Sequence, residues 1–599
     1  MIIQGSDVFY EDRINKLKDK IKNEQKTDHL LSTAKLVSII AIVALLCYYQ
    51  SLPAMLLYAA IVAMLLLFIW ASIVLNKVQL HIQFLKNKLE LNKKELVISL
   101  KKYADLYNGS DLMSQHHPYA TDLDLFGNGS IFQVLNRTST LSGLNTLASW
   151  LSKPFLDKKE ITGHQEAIRE LSDQFEWCQD FCSKISTSTK KINDKASFFS
   201  WIATPNRLIS TPLYKYLINI LPLLSILLMV PTFIGIIHPL PFILTTLCQF
   251  VITLFHARHT NKIHKMIGPR LYYVDGILSI VELILSQNFE SKKLKLLKHA
   301  LEDTDSSAIS EIKKLKRISD SFDSRMNPIL AIVLNGIFLY DIRLVLSLEQ
   351  WKVKNTNSFN YWQEIIGEFD ALISLSIYSH NHPDYNFAEI SSSPFYIKAK
   401  GIKHPLMDEQ KVIPNDYEIS GTPRIDILTG ANMAGKSTFL RTLGVSMVLS
   451  MIGAPVNATR FIFSPTNLYT SLRTNDSLQN NESFFYAELK KLKGMMDTYA
   501  ATPNVFFLLD EILKGTNSAD QYNGARKLIE KLIRINGFGV IATHDLALSK
   551  LTEEYPLAVR NIRFEINIID GKMSFRYKLE DGIAETMNGT FLLEDLKIV

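Results

Sequence analysis

The chain has 599 residues, too many for one hydrophobic core, so two or three domains are expected. Hydrophobic residues make up 47% and charged residues 21%, a greasy balance for a soluble protein, and a net charge of +6 over this length does not by itself argue for a nucleic-acid binder. Four cysteines (Cys47, Cys178, Cys182, Cys248) exclude a disulfide framework.

Taken in chain order, a Lys-rich amphipathic stretch comes first. It leads into residues 36–76, which hold no Asp, Glu, Lys or Arg. Residues 216–255 hold none either. Each run is about twice the roughly 20 residues that a helix needs to cross a bilayer. Each is broken near its middle by a turn signal, Gln50-Ser51-Leu52-Pro53 in the first and His238-Pro239-Leu240-Pro241 in the second. Two transmembrane hairpins are therefore expected, at about 36–76 and 213–256. Tyr48, Tyr49, Trp70 and Tyr216 lie near the ends, as interfacial anchors do. Lys16, Lys18, Lys20, Lys22, Lys26 and Lys35 precede the first hairpin and Lys77, Lys86 and Lys88 follow it. Arg207 and Lys215 precede the second, and Arg258, Lys262 and Lys265 follow it, while the turns carry no Lys or Arg. The charge bias puts both termini and everything outside the hairpins on the cytoplasmic side of a cytoplasmic (inner) membrane, a multi-pass arrangement. No cleavable signal peptide is visible, because the first apolar run begins too late.

Cys178 and Cys182 sit one helical turn apart without a nearby His or Cys pair, and read as packing residues rather than metal ligands. The Lys313-Lys314-x-Lys316-Arg317 cluster reads as a solvated helix face. Arg424-Ile-Asp-Ile-Leu-Thr429 reads as a short buried strand. It ends in Gly430-Ala431-Asn432-Met433-Ala434-Gly435-Lys436-Ser437-Thr438, which matches the Gly-x-x-x-x-Gly-Lys-[Ser/Thr] phosphate loop and precedes an apolar helix over 437–452. Strand, loop and helix together would let backbone amides and a helix N-terminus close on the phosphates of ATP. Lys436 would neutralise the β- and γ-phosphates and Ser437 would hold Mg²⁺.

Further on, Leu472-Arg-Thr-Asn-Asp476 and Glu482-Ser483-Phe484-Phe485-Tyr486-Ala-Glu488 form a polar loop entering a helix, with Ser483 a candidate cap and phosphate contact. Asn504-Val-Phe-Phe-Leu-Leu-Asp510-Glu511 is a buried strand delivering two carboxylates: Asp510 to the Mg²⁺ shell, Glu511 to the attacking water as general base. Gly539-Val-Ile-Ala-Thr-His544-Asp545 is another strand, and it presents His544 for contact with the γ-phosphate.

The loop with Asn432-Met433 inside it, Asp510-Glu511-x-x-x-Gly515-Thr516 and Thr543-His544 together resemble the MutS family of ATPases. So do Ile402-Lys-His404-Pro405, Pro414-Asn415-Asp416, Met451-Ile-Gly453-Ala-Pro-Val-Asn-Ala458 and Phe575-Arg-Tyr577-Lys578-Leu579 with Gly582. Asp124-Leu-Phe-Gly127-Asn-Gly-Ser130 to Thr140 with Gly143, Trp150-Leu151 with Pro154, and Trp362 through Ser374 resemble its helical core. The resemblance implies an α/β P-loop ATPase domain, a mixed sheet flanked by helices, at 386–599. It implies an all-α helical core at 120–385, interrupted by the second hairpin. Residues 1–119 would hold the amphipathic helix, the first hairpin and a following helix. It further implies a homodimer with composite ATP sites, each completed by Ser483 of the opposite subunit.

Departures accompany the match. Residues 1–119 leave no room for the family's mismatch-reading domain, the second hairpin stands where DNA-gripping levers would extend, and the family's C-terminal helical extension is not seen. A proline of the family's loop is Ala431 here, and the usual Arg of Arg-His-Pro is Lys403. The leading expectation is a membrane-anchored ATPase whose nucleotide cycle moves a helical core against hairpins set in membrane lipid. The alternative is a DNA-binding mismatch-repair or recombination protein at the membrane. A transporter component is less favoured, because the spans lack the charged groups of a polar path.

Overall fold

The computed structural model describes residues 6–47, 53–114, 117–189, 212–267, 271–302, 308–324, 328–473, 484–569 and 572–585. Its first two helices, α1 (Ser6–Cys47) and α2 (Ala54–Ser99), pack as an antiparallel pair. The sequence suggests a basic amphipathic helix and then a separate span. In the structure they are one helix, because nothing between Ser6 and Cys47 is Gly or Pro and the α-helical hydrogen bonding has no reason to stop. At 42 residues, α1 is about 63 Å long at 1.5 Å per residue. The half of the pair away from the turn has a small core of its own, with Leu17, Ile21 and Leu85 buried beside Phe84 and Leu89. The half near the turn is inside out. Ile39, Ile40, Val43, Leu66, Ile69 and Trp70 are all exposed.

The stalk so formed docks on a helical core. Its components are α3 (Ile131–Leu135), α4 (Leu141–Ser152), α5 (Lys158–Asp173) and α6 (Phe175–Thr189), all N-terminal to the second hairpin. Ser130 and Gln133 form a capping box at the start of α3, and Thr140 caps α4 by accepting the Gly143 amide. Cys178 and Cys182 are buried in this packing, and no cluster of His, Cys, Asp or Glu able to hold a metal ion occurs among the described residues.

The second hairpin is α7 (Pro212–Phe233) and α8 (Leu240–Ile267). Gly235, in the left-handed region at φ +81, lies in the break between them. Gln249 of α8 donates to Leu221 O (3.0 Å) and to Ser225 Oγ of α7, so the polar groups turn inward. Leu227, Val251 and Phe255 face outward. Among the described residues, four helices are long and apolar enough to cross a membrane, namely α1, α2, α7 and α8.

The core resumes with α9 (Leu271–Ser286), α10 (Lys292–Glu302) and α11 (Ala308–Ser324), followed by the short apolar α12 (Pro328–Phe338) and the 42-residue α13 (Tyr340–Asn381). Two lysines of the basic cluster on α11 are engaged: Lys313 pairs with Glu282 (2.9 Å) and Lys316 with Asp275. The second half of α13 is the spine of the core, with Trp362, Ile366, Phe369, Leu372 and Leu375 fully buried. Its Asp370 accepts the Ser139 and Thr140 amides and the Thr140 hydroxyl. α4 approaches so closely there that a Cβ on Gly143 would stand 2.3 Å from Asp370 Oδ2.

Beyond α13 lies a small sheet absent from the sequence expectations: β1 (Glu389–Ile390), β2 (Tyr396–Ile402), β3 (Asn415–Ser420) and β5 (Arg460–Phe463), in the order β1-β5-β2-β3. The large sheet contains β4 (Arg424–Gly430), β6 (Asn467–Ser471), β7 (Val505–Asp510), β8 (Phe538–Thr543), β9 (Val559–Ile569) and β10 (Lys572–Asp581), in the order β10-β9-β4-β8-β7-β6. It is parallel except for β10, which pairs antiparallel with β9 at one edge. Helices α14 (Lys436–Met451), α15 (Phe484–Ala501) and α16 (Ser518–Arg534) pack against it. Burial on both faces explains the apolar runs of β7 and β8.

Candidate functional site

The C-terminal ends of β4, β7 and β8 meet at one cavity of about 430 Å³. Parallel pairing puts the ends of adjacent strands side by side, so residues remote in sequence converge there. From β4 the chain enters the loop Gly430–Gly435. A Cβ on Gly430 would lie 2.9 Å from Phe564 O, which leaves glycine as the residue that fits against β9. Gly435 turns the chain into α14 at φ +107. Between them Ala431 and Ala434 are buried, and Met433 stands exposed at φ +65. Asn432, Met433, Ser437 and Thr438 line the cavity with the rest of the loop.

Lys436 is folded back over this loop. Its Nζ donates to Gly430 O (2.8 Å) and Ala431 O (3.1 Å), with His544 Nε2 at 3.3 Å. Burial pushes its ammonium down to about 8, against the upward pull of Asp510 and Glu511. Ser437, one residue into α14, donates its hydroxyl to Asp510 Oδ2 at the end of β7. The other oxygen, Asp510 Oδ1, is buried and has no hydrogen-bond partner among the described residues. Burial raises the Asp510 carboxyl, with the Ser437 hydrogen bond opposing.

Glu511 leaves the sheet at φ +51, an unusual conformation for a residue with a side chain, and Leu513 follows at φ +64. Its amide donates to Ala542 O (2.9 Å), which anchors the turn on β8. One carboxylate oxygen meets His544 Nε2 at 2.8 Å and the other pairs with Lys514. Burial alone would raise the Glu511 carboxyl, but the hydrogen bonds from His544 and Lys514 outweigh it and hold it at about 2. His544 therefore lies between Lys436 and Glu511. Ser483 lies outside the described residues.

Sequence reasoning missed several residues that shape the site. The buried Glu488 of α15 accepts the Leu513 amide and faces the amides of Lys514 and Gly515, which pins the loop after Glu511. In the sequence it stands only as the end of the Glu482–Glu488 stretch, because backbone partners leave no residue pattern. Lys514 was hidden inside a motif although it stands three residues after a carboxylate. Ile402, His404 and Asn415 from the small-sheet segment, with Phe439, Phe564 and Tyr577, wall the far side of the cavity.

Asp122 joins this region to the helical core. It is almost fully buried, and it accepts the Thr470 hydroxyl (2.9 Å), the Leu472 amide (3.0 Å) and Lys491 Nζ (3.0 Å). Its own carbonyl accepts Arg441 Nε of α14 at 3.1 Å. The helix carrying Lys436 and Ser437 is thus tied to the segment that starts the core.

The arrangement can hold a polyanion against loop amides, a hard cation between Ser437 and Asp510, and a water near Glu511. The MutS domain III pattern matches residues 117–376, and the MutS domain V pattern matches residues 426–594. A DNA mismatch repair protein MutS from Finegoldia magna is 26% identical over 511 residues, covering 78% of this chain and 58% of its own length. One from a Thermotoga species is 23% identical, covering 77% of this chain and 60% of its own. One from Natronomonas pharaonis is 30% identical over 235 residues, covering 38% of this chain and 26% of its own. The chain spans about three fifths of the length of the first two relatives.

Proposed function

The chain belongs to the MutS family, and on that footing we propose that it is a membrane-anchored ATPase whose nucleotide cycle moves a helical core against two transmembrane hairpins. The observation that carries this reading is the convergence of Lys436, Ser437, Glu511 and His544 on one cavity, with Asp510 hydrogen-bonded to Ser437, in a chain whose long apolar helices turn their side chains outward. α1, α2, α7 and α8 cross a cytoplasmic membrane as two hairpins, with the ATPase domain at 386–599, the core at 120–385 and both termini on the cytoplasmic side.

ATP lies along the loop Gly430–Gly435, with its phosphates against the loop amides and the N-terminus of α14. Lys436 exchanges its contacts with Gly430 O and Ala431 O for phosphate oxygens, and the phosphate charge restores the ammonium that burial had weakened. The unpartnered Asp510 Oδ1 and the Ser437 hydroxyl form a hard-oxygen pair suited to Mg²⁺. When bound, the ion neutralises phosphate charge. Glu511 orients the water and takes its proton, but a carboxylate held at about 2 is a poor base. An arriving γ-phosphate competes for His544 and Lys514, and loss of their hydrogen bonds to Glu511 activates it. Two chains complete two sites, with Ser483 serving the opposite one.

The test is ATP turnover by protein purified from membranes in detergent, beside Glu511→Gln. The variant should lose a factor of about 10²–10⁴, the usual contribution of a general base. Equal turnover overturns the reading. A second reading, DNA binding at the membrane, draws on the relatives, which are DNA mismatch repair proteins by name. Strong stimulation of turnover by mismatched duplex would promote it.

A further inference from the structure

The short helix α12 is not accounted for by the two hairpins. Its sequence, Pro-Ile-Leu-Ala-Ile-Val-Leu-Asn-Gly-Ile-Phe over 328–338, carries no charged residue. Ile332 is 59% exposed and Val333 48%, beside the exposed Leu330. The helix packs against both α7 and α8, so this apolar surface is continuous with that of the second hairpin. At 11 residues it is about 16 Å long, roughly half of the 30 Å hydrocarbon layer. It cannot cross.

The chain then breaks at Leu339 (φ +49), and α13 leaves at 74° to α12. A helix break in lipid is tolerated only where the freed backbone groups find partners. Here the buried Asn335 side chain accepts the Asp341 amide at 2.9 Å across the break. Charge returns immediately after it. Asp341 is in the first turn of α13, and the exposed Arg343 donates to Ile218 O (2.7 Å) near the start of α7. That contact places the break at the level where the second hairpin emerges from its Lys/Arg flank.

We propose that α12 is a third membrane element, a non-spanning helix seated in the cytoplasmic leaflet beside the second hairpin, with Leu330, Ile332 and Val333 against lipid. α13, the spine of the core, would then be rooted directly in the membrane rather than joined to it only through the stalk and the second hairpin. The inference rests on the membrane reading of that hairpin.

The experiment is site-directed spin labelling of the full chain in lipid nanodiscs, with Cys47 and Cys248 replaced by Ser. Labels go on Ile332→Cys and, independently, Val333→Cys. Leu227→Cys on α7 is the lipid reference, and Lys531→Cys on α16 is the water reference. Retained ATP turnover shows that each variant is folded. Labels at 332 and 333 should collide readily with oxygen and poorly with a water-soluble nickel chelate, as at 227. Nickel accessibility matching that at 531, with 227 still shielded, overturns the proposal and leaves the hairpin reading standing. Nickel access at 227 as well overturns both. Shielding of 332 and 333 from both reagents, with dipolar broadening, means that a second copy covers the face, and this too overturns the lipid assignment.

Discussion

Replacing Glu95 by Gln should loosen the hairpin stalk from the helical core. Glu95 lies near the end of α2, and its two oxygens take Arg137 Nε at 2.9 Å and Arg137 Nη2 at 2.8 Å. Asn381, at the end of α13, donates to the same carboxylate at 2.8 Å, and Tyr10 of α1 donates to Asn381 at 2.5 Å. The side chains are 3% and 0% exposed, so water cannot replace the lost partner. Arg137 Nη1 already has no hydrogen-bond partner among the described residues. Glu95→Gln keeps the shape but leaves a buried guanidinium without its counter-charge, which costs about 3–5 kcal/mol. A Coulomb energy of ~4 kcal/mol for unit charges at 4 Å and an effective dielectric of 20 is of the same size. At about 2–4 °C per kcal/mol for domains of this size, the thermal midpoint should fall by roughly 6–20 °C. The assay is thermal unfolding in detergent, followed by limited proteolysis of the 100–112 segment, which should become accessible. The double variant Glu95→Leu, Arg137→Met should recover most of the loss, because it removes both charges. A single variant within about 1 kcal/mol of the parent, or a double variant as damaged as the single, would mean that the Glu95–Arg137 pair does not hold the stalk to the core.

Asp122→Ala should cost about 1.5–3 kcal/mol through its lost charged hydrogen bonds and should weaken the dependence of core conformation on nucleotide, which hydrogen exchange over 117–126 with and without ATP would report. Because ATP binding favours the charged Lys436, whose free-state value is held near 8, affinity should be flat below pH 8. Above it, affinity should fall by up to about tenfold per pH unit, read by titration with a fluorescent ATP analogue; a flat profile to pH 9.5 counts against that lysine. His544→Ala removes one of the two groups holding Glu511 low, so the acid limb of kcat/KM should move to higher pH whatever happens to the maximum; an unmoved limb separates His544 from Glu511 in function.

The strands β7 and β8 leading to the candidate site were legible because each is an apolar run that ends at polar residues. β7 at Val505–Asp510 and β8 at Phe538–Thr543 fall within a residue of the sequence reading. The loop and α14 were legible because paired glycines signal a tight turn and an apolar stretch with no breaker follows them. The small sheet was not. Tyr396–Ile402 and Asn415–Ser420 do alternate buried and exposed positions, but they are short and interrupted by charges, and they acquire meaning only from β5 forty residues on. The roles of Glu488 and Asp122 were not legible for a related reason: their partners are amides and side chains that only the fold brings near. The hairpins were legible as absences of charge. Their continuation into a stalk was not, since local periodicity does not show where a helix with no breaker ends.

Nucleotide at Gly430–Thr438 is proposed to move the ATPase domain relative to the stalk of α1 and α2. The direct measurement is the spin-label distance between Leu80→Cys on α2 and Lys531→Cys on α16, in the Glu511→Gln background in nanodiscs, with and without ATP and Mg²⁺. The distance distribution should be displaced when ATP is bound and held. An identical distribution in both conditions, with ATP binding verified in the same sample, would contradict it.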